Sequence, residues 1–309
     1  MSNTEFKNRV YGCVVIKAIN ANYNADFNGL PRRLKTDGSF YATDKSFKWL
    51  VRNYIKKNTN ETVLFTKQLN ESFEPIDLAK AFDKLEQKGN VLFTLLECID
   101  VRLFGATFAE KGKQLSLHGI VQVTHATDLY GKGKVYTDEI LAPFTAIGSM
   151  SKATEAHYIH NFSINPKNLS SWKNVLKDNQ NLKLLSQNDI NILKNAFNNA
   201  GTFYDSHSKA GVENELSIYV TLMETSTLTL PSFAQFITFT KGENGAKNSF
   251  DVTKLISYLH KYDGEIESIE IYTIEELTDV IFDTVNDKIK KCDLVQLATK
   301  REETNNDSH

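Results

Sequence analysis

Apolar residues recur along the chain with two spacings, one typical of strands and the other typical of helices. β-branched and apolar residues fill the run from Arg9 to Ile19, which predicts a buried strand. The segment from Leu117 to Ala126 alternates between apolar and polar positions and predicts a half-buried strand. Three further runs have the length and composition of strands, at 157–164, 215–223 and 266–272.

Helical spacing appears in four other segments. The first covers about 44–57, where Asp44 is suited to cap the helix, and the second is opened by a proline and ended by a glycine at 75–89. The segment 186–200 carries a stripe of apolar residues on one face, which predicts a helix packed on a core. The acidic segment at about 274–291 completes the set as a predicted late helix.

The order of these elements predicts the fold class. Strands and helices are interspersed, but neither a strict strand–helix–strand alternation nor a repeat of fixed period is present. That pattern favours an α+β sheet with insertions over a doubly wound sheet. With 309 residues, of which 41% are hydrophobic and 24% charged, the chain is long enough to bury a substantial core.

The sequence also indicates a compartment. It contains no uninterrupted apolar run of about 18 residues, the length that a membrane helix needs. Its first residues lack the apolar core of a secretory signal, so we expect a cytoplasmic protein with no membrane partner. Cys13, Cys98 and Cys292 are odd in number and far apart, which suggests buried thiols rather than disulfides or a zinc knuckle.

Charge is distributed unevenly although the net charge is only -2. Residues 1–67 hold twelve Lys or Arg against five Asp or Glu, whereas residues 263–309 hold five against thirteen. A basic beginning and an acidic end are compatible with a local phosphate-binding patch. They are also compatible with head-to-tail stacking of identical copies through opposite charges, and with a coincidence of solvated faces.

The first predicted helix carries a basic stripe. At about 100° per residue, four cations fall within one narrow sector of it: Lys45, Lys48, Arg52 and Lys56. Trp49 lies beside the stripe, where an indole stacks on a base or simply covers apolar surface. Such a stripe is often only a solvated face, but Arg32, Arg33 and Lys35 precede it and add cations nearby. Together these residues favour phosphate contact with little sequence discrimination.

Histidines and glycines offer weaker signals for chemistry. His157 and His160 lie in one predicted strand and should project from opposite faces, so they cannot easily share a metal ion. His125 is instead a candidate for nucleic-acid contact. The sequence GKGK at 131–134 lacks the spacing of a phosphate-binding P-loop, and its two lysines are either nucleic-acid ligands or a solvated turn. We therefore expect no catalytic residue, no metal site and no cofactor.

Five ordered blocks resemble CRISPR-associated Cas7 proteins of type I systems, especially the I-B and I-C lineages, with I-B as the expected one. They are 22–26, Pro31-Arg32, the series from Tyr41 to Arg52, 100–105 and 119–122. The chain departs from the family by carrying Tyr23 and Ala25 where Pro and Gly are usual. It also has Trp49 where a basic residue is common.

The resemblance implies a fold and a function. The fold is a modified RRM-like, ferredoxin-like sheet with insertions, forming one palm domain over 1–300 and leaving a disordered tail at 301–309. A thumb hairpin is expected at about 128–154. The protein is expected to bind guide RNA (crRNA) as the backbone subunit of an antiviral Cascade ribonucleoprotein. Its partners would be crRNA, target DNA, further copies stacked head to tail in a helical filament, and other Cascade subunits.

The resemblance and the residue chemistry together give a set of RNA-binding candidates. Lys48 and Arg52 inherit phosphate contacts most directly, and Arg32 follows them. The full set is Asn22, Asn24, Arg32, Arg33, Lys45, Lys48, Trp49, Arg52, Gln122, His125, Lys132, Lys134 and Lys152.

Two other functions stay open at this point. Related type III backbone subunits cleave bound target RNA with a metal supported by a loop aspartate, and Asp26 and Asp37 occupy the corresponding early loop. Without the resemblance, a metabolic α+β enzyme whose site has no recognisable motif is a third hypothesis.

Overall fold

The computed structural model describes residues 4–85, 91–110, 113–141, 147–169, 184–283 and 287–295. Six α-helices are described: α1 (Asp44–Asn58), α2 (Leu78–Asp83), α3 (Val91–Leu96), α4 (Ile99–Phe104), α5 (Gln187–Phe203) and α6 (Thr253–His260). Within these ranges no helix is long and apolar enough to cross a membrane.

Fourteen strands lie in the same ranges. The first seven are β1 (Val10–Ala21), β2 (Tyr41–Ala42), β3 (Gly105–Glu110), β4 (Lys113–His118), β5 (Val121–Val123), β6 (Ala126–Asp128) and β7 (Val135–Leu141). The second seven are β8 (Ile147–Ile164), β9 (Val212–Leu222), β10 (Thr238–Thr240), β11 (Asn248–Asp251), β12 (Ile266–Thr273), β13 (Thr278–Ile281) and β14 (Ile289–Asp293).

A mixed sheet forms the centre of the molecule, with the strand order β14-β12-β9-β1-β8-β6-β2. The short strands β5 and β7 also pair with β8, whose 18 residues make it the longest strand described. All pairs in this sheet are antiparallel except β12 with β14. Smaller sheets are formed by β10-β11-β13 and by β3-β4.

Both faces of β1 are buried, and this explains its continuous apolar sequence. Alternate residues enter two different cores: Val10, Val14 and Ile16 pack in the one that includes α1 and α5. Cys13 and Val15 pack in the other, beneath α6 and the β10-β11-β13 sheet. The central sheet is therefore covered on both sides.

Most predicted elements are confirmed. The strands predicted at 9–19, 157–164, 215–223 and 266–272 fall within or against β1, β8, β9 and β12. The helix predicted at 186–200 is α5, and its apolar stripe of Ile190, Leu193 and Phe197 is buried. In α1 the N-cap is Thr43 rather than Asp44, because the Thr43 side chain accepts a hydrogen bond from the Ser46 amide.

The other predicted elements differ in part. The helix predicted from Pro75 begins only at Leu78, capped by Asp77, because Pro75 pairs with Leu69 in a turn before it. The predicted end of that helix at Gly89 and the tail at 301–309 lie outside the described residues. The predicted strand 117–126 is broken into the end of β4, β5 and the start of β6. The break begins at Gly119, where a Cβ would lie 2.4 Å from the carbonyl oxygen of Phe104, so only glycine allows the two backbones to meet.

The helix predicted at 274–291 is wrong. Its first half contains β13, which pairs in parallel with β11, and its second half contains β14, which pairs in parallel with β12. Thr278, Val280, Ile281 and Ile289 are β-branched and suit a pleated sheet. Available sheet edges therefore outweighed the helical preference of the acidic residues.

Arg102 joins α4 to the beginning of α5 from a fully buried position. Its guanidinium donates to both carboxylate oxygens of Asp189, at 3.2 and 2.7 Å, and to Glu61 at 2.9 Å. The remaining donors reach the carbonyl oxygens of Leu96 and Glu97 at 2.8 and 2.9 Å. A buried cation of this kind is tolerated because its charge and its donors are matched.

We predict that Arg102→Met lowers the free energy of unfolding by about 3–5 kcal/mol, because it leaves Asp189 buried without its cation. Urea unfolding of the full chain measures the change. Lys194→Met is the control, since the Lys194–Glu270 pair is part-exposed, and it should cost about 1 kcal/mol or less. Equal losses in the two variants would contradict the prediction.

His157 forms a second buried polar link, on the opposite face of β8 from His160. Its Nδ1 lies 2.5 Å from Glu215 and its Nε2 lies 3.2 Å from Glu155. Lys241 donates to Glu155, and Phe239 stacks on the imidazole at 4.0 Å. Because both ring nitrogens face carboxylates, these contacts favour the charged imidazolium, which donates from both nitrogens. The link joins β8 and β9 to the segment that follows β10.

The pKa values of the two histidines move in opposite directions. Burial by itself lowers the pKa of His157, but Glu215 and then Glu155 outweigh that effect and raise it above its ordinary value. His160 stacks on Phe47 of α1 and faces no carboxylate at hydrogen-bond distance in the described residues. Burial lowers the pKa of His160 to about 4.

We predict opposite pH dependences for the stabilising effects of these histidines. The contribution of His157 is fully present below the unfolded pKa of about 6.5 and is lost as the pH rises through its folded pKa. The stability difference between wild type and His157→Gln should therefore shrink from pH 6 to pH 9. For His160→Gln the difference should shrink as the pH falls from about 6.5 toward 4. Chemical denaturation across this range measures both; parallel slopes would refute the assignment.

Candidate nucleic-acid interface

The segment that leaves β1 is bonded to the first turn of α1. Asn24 accepts hydrogen bonds from the backbone amide of Thr43 at 2.9 Å and from its hydroxyl at 3.1 Å. The Ser46 hydroxyl donates to the carbonyl oxygen of Tyr23 at 3.3 Å. Asn24 thereby fixes the start of α1, and its side-chain oxygen is occupied by the protein.

Asn22 links the same segment to two other parts of the chain. Its side-chain amide donates to the carbonyl oxygens of Gly29 and Ser151, both at 3.0 Å. The residue is buried, and its Oδ1 has no hydrogen-bond partner among the described residues. Asn22 therefore holds the loop after β1 against the hairpin formed by β7 and β8.

Lys209 anchors the same segment after β1, and it was not among the residues chosen from the sequence. Its ammonium donates to the carbonyl oxygens of Asn22, at 3.5 Å, and of Tyr23. Burial lowers the pKa of Lys209 to about 8. The sequence carried no local signal for this role, because a lysine in a polar turn reads as a solvated charge.

Two cations of the predicted basic stripe are held in ion pairs. Lys48 lies 3.0 Å from Asp44 within α1, and Arg52 Nε lies 3.1 Å from Asp100 of α4. The Asp100 side chain is 0% exposed and also accepts two backbone amides from the segment after α1. These carboxylates offset much of the charge of Lys48 and Arg52, the residues that the resemblance favoured most.

The remaining residues of the stripe have more open positions. Lys45 and Lys56 are exposed, and Lys56 donates to the Thr66 hydroxyl at 2.9 Å. Trp49 is 36% exposed and packs edge-on against Tyr204, with ring centroids 4.6 Å apart. One part of the indole therefore covers protein, while another part faces solvent.

A second group of cations meets where the loop 31–40 contacts the turn before β7. The Arg33 guanidinium lies 4.4 Å from the centroid of the Phe40 ring and 3.5 Å from the carbonyl oxygen of Gly133. Gly133 packs so tightly that a Cβ would lie 1.9 Å from the backbone of the strand beside it. Lys132 and Lys134 flank it, and both are exposed. The contact thus brings Arg33 next to two lysines that lie about one hundred residues away in sequence.

Asp128 sets the conformation of this turn. Its carboxylate accepts hydrogen bonds from the backbone amides of Tyr130, Gly131 and His157, at 3.0, 2.9 and 2.8 Å. Gly131 has a φ of 70°, a backbone angle that favours glycine. The position of Lys132 is therefore determined by backbone hydrogen bonds rather than by its own contacts.

His125 lies between β5 and β6, beside the first residue of α1, and is exposed. Its Nδ1 is 3.4 Å from both the amide and the carboxylate of Asp44, and its ring stacks on Tyr41 with centroids 6.3 Å apart. Arg32 reaches the Tyr41 hydroxyl at 3.5 Å. Burial by itself raises the pKa of Asp44, but Lys48 and His125 hold it below its ordinary value. His125 and Arg32 thus border the same stretch of surface.

Gln122 and Lys152 lie apart from these groups. Gln122 donates to the carbonyl oxygen of Gly119 and lines a separate, largely apolar cavity with Leu230 and Phe233. Lys152 is part-exposed on the hairpin, opposite Tyr136. Within the segment 128–154, where the thumb hairpin is expected, β7 pairs antiparallel with the first part of β8; residues 142–146 lie outside the described residues.

The two aspartates considered for metal binding stabilise their own turns. Asp26 accepts the amides of Asn28 and Leu30 at 2.8 and 2.9 Å. Asp37 accepts the amide and hydroxyl of Ser39 at 3.0 and 2.7 Å, which lowers its pKa. Across the ranges that the structure describes, no three His, Cys, Asp or Glu side chains are grouped to hold a metal ion.

Two solved structures align with this chain over most of its length. A chain from "CRISPR RNA-guided surveillance complex, pre-nicking" aligns with a TM-score of 0.54 and 14% identity, covering 89% of this chain and 96% of that one. A chain from "CRISPR RNA-guided surveillance complex" aligns with a TM-score of 0.47 and 16% identity, covering 88% of this chain and 95% of its own length. At such identities the first alignment establishes a shared α+β fold with a central mixed sheet.

Sequence comparison identifies the family. A search of curated proteins returns no match. The family model for CRISPR-associated protein Cas7 matches residues 8–275, which include β1, α1, the β7-β8 hairpin and β12. The match covers most of the chain and agrees with the ordered motifs between Asn22 and Gln122. This chain therefore belongs to the Cas7 family of CRISPR-associated proteins.

Proposed function

We propose that this protein binds guide RNA as the backbone subunit of a type I CRISPR surveillance complex. Membership of the Cas7 family supports the proposal, as does the fold that the chain shares with a subunit of an RNA-guided surveillance complex. Such a subunit needs a surface that accepts RNA of any sequence. Phosphate contacts meet that need, because the RNA backbone is the same for every guide.

The observation that carries the proposal is the convergence of Arg33, Lys132 and Lys134. Arg33 lies about one hundred residues from the two lysines in sequence, and its contact with the carbonyl oxygen of Gly133, between Lys132 and Lys134, brings it next to them. All three are exposed, unlike Lys48 and Arg52, whose charges are offset by carboxylates. We therefore assign the main phosphate contacts to this cluster, with Lys45, Arg32 and His125 at its border.

The other candidates have different roles in this proposal. Asn22 and Asn24 position the loop, Lys48 and Arg52 position α1, and Trp49 offers part of an indole for stacking. The β7-β8 hairpin, with Lys152, acts as the thumb of an RRM-like palm. Gln122 lies beside a separate cavity and would contact RNA only where the strand extends beyond the cluster.

The proposed assembly follows from the needs of an RNA filament. Copies must associate through two different surfaces, because only a heterologous contact extends along a strand. The basic residues 1–67 and the acidic residues 263–309 supply opposite charges for that contact. Other Cascade subunits and target DNA complete the set of proposed partners. The subunit acts by binding and presenting RNA, with no catalytic residue of its own.

We predict that Lys132→Ala with Lys134→Ala weakens binding of unstructured RNA equally for unrelated sequences. The slope of log affinity against log salt should fall by about 1.4, since each lost phosphate contact on a single strand removes about 0.7. Fluorescence anisotropy of labelled oligonucleotides at several salt concentrations measures both quantities.

The matched control is Lys254→Ala with Lys261→Ala, which removes the same charge from exposed positions in and after α6. This control should leave the salt slope unchanged. A loss confined to one RNA sequence, or equal losses in the two double variants, would count against phosphate binding by the cluster.

We also predict different effects for two cations of α1. Arg52→Ala should lower the free energy of unfolding by about 1–3 kcal/mol, because it removes the charged partner of buried Asp100. Lys45→Ala should leave stability unchanged and weaken RNA binding, because Lys45 is exposed. Chemical denaturation and fluorescence anisotropy on the same samples test whether Arg52 stabilises the fold and Lys45 binds RNA. An Arg52→Ala protein of unchanged stability with a large loss of RNA affinity would contradict this assignment.

A further inference from the structure

Phe27 is the most exposed large apolar side chain among the described residues, with 101% relative exposure. Burying a phenylalanine side chain favours folding by roughly 10- to 150-fold in the equilibrium constant, and an exposed ring forgoes that gain, although single exposed apolar residues are common on protein surfaces. Exposure alone is therefore not evidence of function. The charges and hydrogen bonds around the ring show whether it suits a ligand.

The loop tip that carries Phe27 is hydrogen-bonded throughout. Asp26 accepts the amides of Asn28 and Leu30 through its side chain, and its own amide donates to the Leu30 carbonyl oxygen at 2.7 Å. Gly29 has a φ of 81° and is tied by its carbonyl oxygen to Asn22. The tip is thus a closed turn, anchored through Asn22 to the β7-β8 hairpin, and it holds an aromatic ring out into solvent.

One cation lies over this ring, and two more follow it along the chain. The Arg32 guanidinium lies 5.8 Å from its centroid, and Arg33 and Lys35 are exposed a few residues further on. The carboxylate of the adjacent Asp26 accepts the turn amides. An aromatic face beside phosphate-binding cations is the combination with which proteins hold single-stranded nucleic acid, because every base can stack on such a ring.

Phe73 provides an internal comparison. It is 83% exposed and also sits on a closed turn, where Asn70 accepts the amides of Ser72 and Glu74. Its neighbours Glu71 and Glu74 are exposed carboxylates, which would repel a phosphate backbone. Two exposed phenylalanines on closed turns therefore differ chiefly in the charge around them, and only Phe27 suits a nucleic-acid strand.

We propose that Phe27 is a stacking residue that contacts a base of the bound RNA next to the cluster of Arg33, Lys132 and Lys134. The inference rests on the proposed RNA-binding function and adds a contact that the sequence candidates did not include. The binding free energy of this contact comes from stacking on a base rather than from attraction to phosphate. Loss of the ring should thus lower affinity without changing the dependence on salt.

The test compares Phe27→Ala, Phe27→Trp and Phe73→Ala in the full chain, using unstructured RNA and an abasic strand of equal length. Phe27→Ala should weaken RNA binding roughly 5- to 150-fold with an unchanged salt slope. Phe27→Trp and Phe73→Ala should bind RNA as wild type does. On the abasic strand, wild type and Phe27→Ala should bind equally, because no base is present to stack.

The possible failures are distinguishable. If wild type binds RNA with a steep salt dependence but Phe27→Ala and Phe73→Ala behave alike, stacking is refuted and the proposed function stands. A loss in Phe27→Ala that persists on the abasic strand also refutes stacking. Wild type that fails to bind either strand overturns the proposed function and this inference together.

Discussion

The surface that we assign to RNA depends on the hydrogen bonds of the segment that leaves β1. Asn22 and Asn24 use their side chains to bind the Gly29 loop, the hairpin and the start of α1, while Lys209 binds the carbonyl oxygens between them. Most buried polar groups have hydrogen-bond partners, and here the partners come from four separate parts of the chain. These hydrogen bonds hold the loop that carries Phe27 and Arg32 against α1 and the hairpin.

The same structure divides the cations of the chain into two kinds. Arg52 and Arg102 are bonded to buried carboxylates and serve the packing of α1, α4 and α5. Arg33, Lys132 and Lys134 are exposed and kept in place by backbone contacts around them. A protein that binds a polyanion needs both kinds. The first kind stabilises the packing of the helices whether or not the polyanion is bound, and the second kind keeps its charge available for phosphate.

Much of the fold was predictable from local pattern, and the exceptions have a common cause. The strand β1 and the helices α1 and α5 have strong periodicity and were found within a few residues of their true ends. The segment 274–291 was predicted as a helix, but its residues pair with the edges of β11 and β12. Those edges are formed by distant residues, and a local reading of the sequence contains no information about them.

The sequence by itself determined the class of fold, the basic character of the early region and, through its ordered motifs, the Cas7 family. Tertiary structure decided which cations are open: a carboxylate from α4 reaches Arg52, whereas the turn at Gly133 leaves Lys132 and Lys134 in solvent. Composition and helical spacing show which residues are charged. Whether that charge is available to a ligand depends on partners that only folding brings within hydrogen-bond distance. For the same reason the anchor of Lys209 and the exposed ring of Phe27 were visible only in three dimensions.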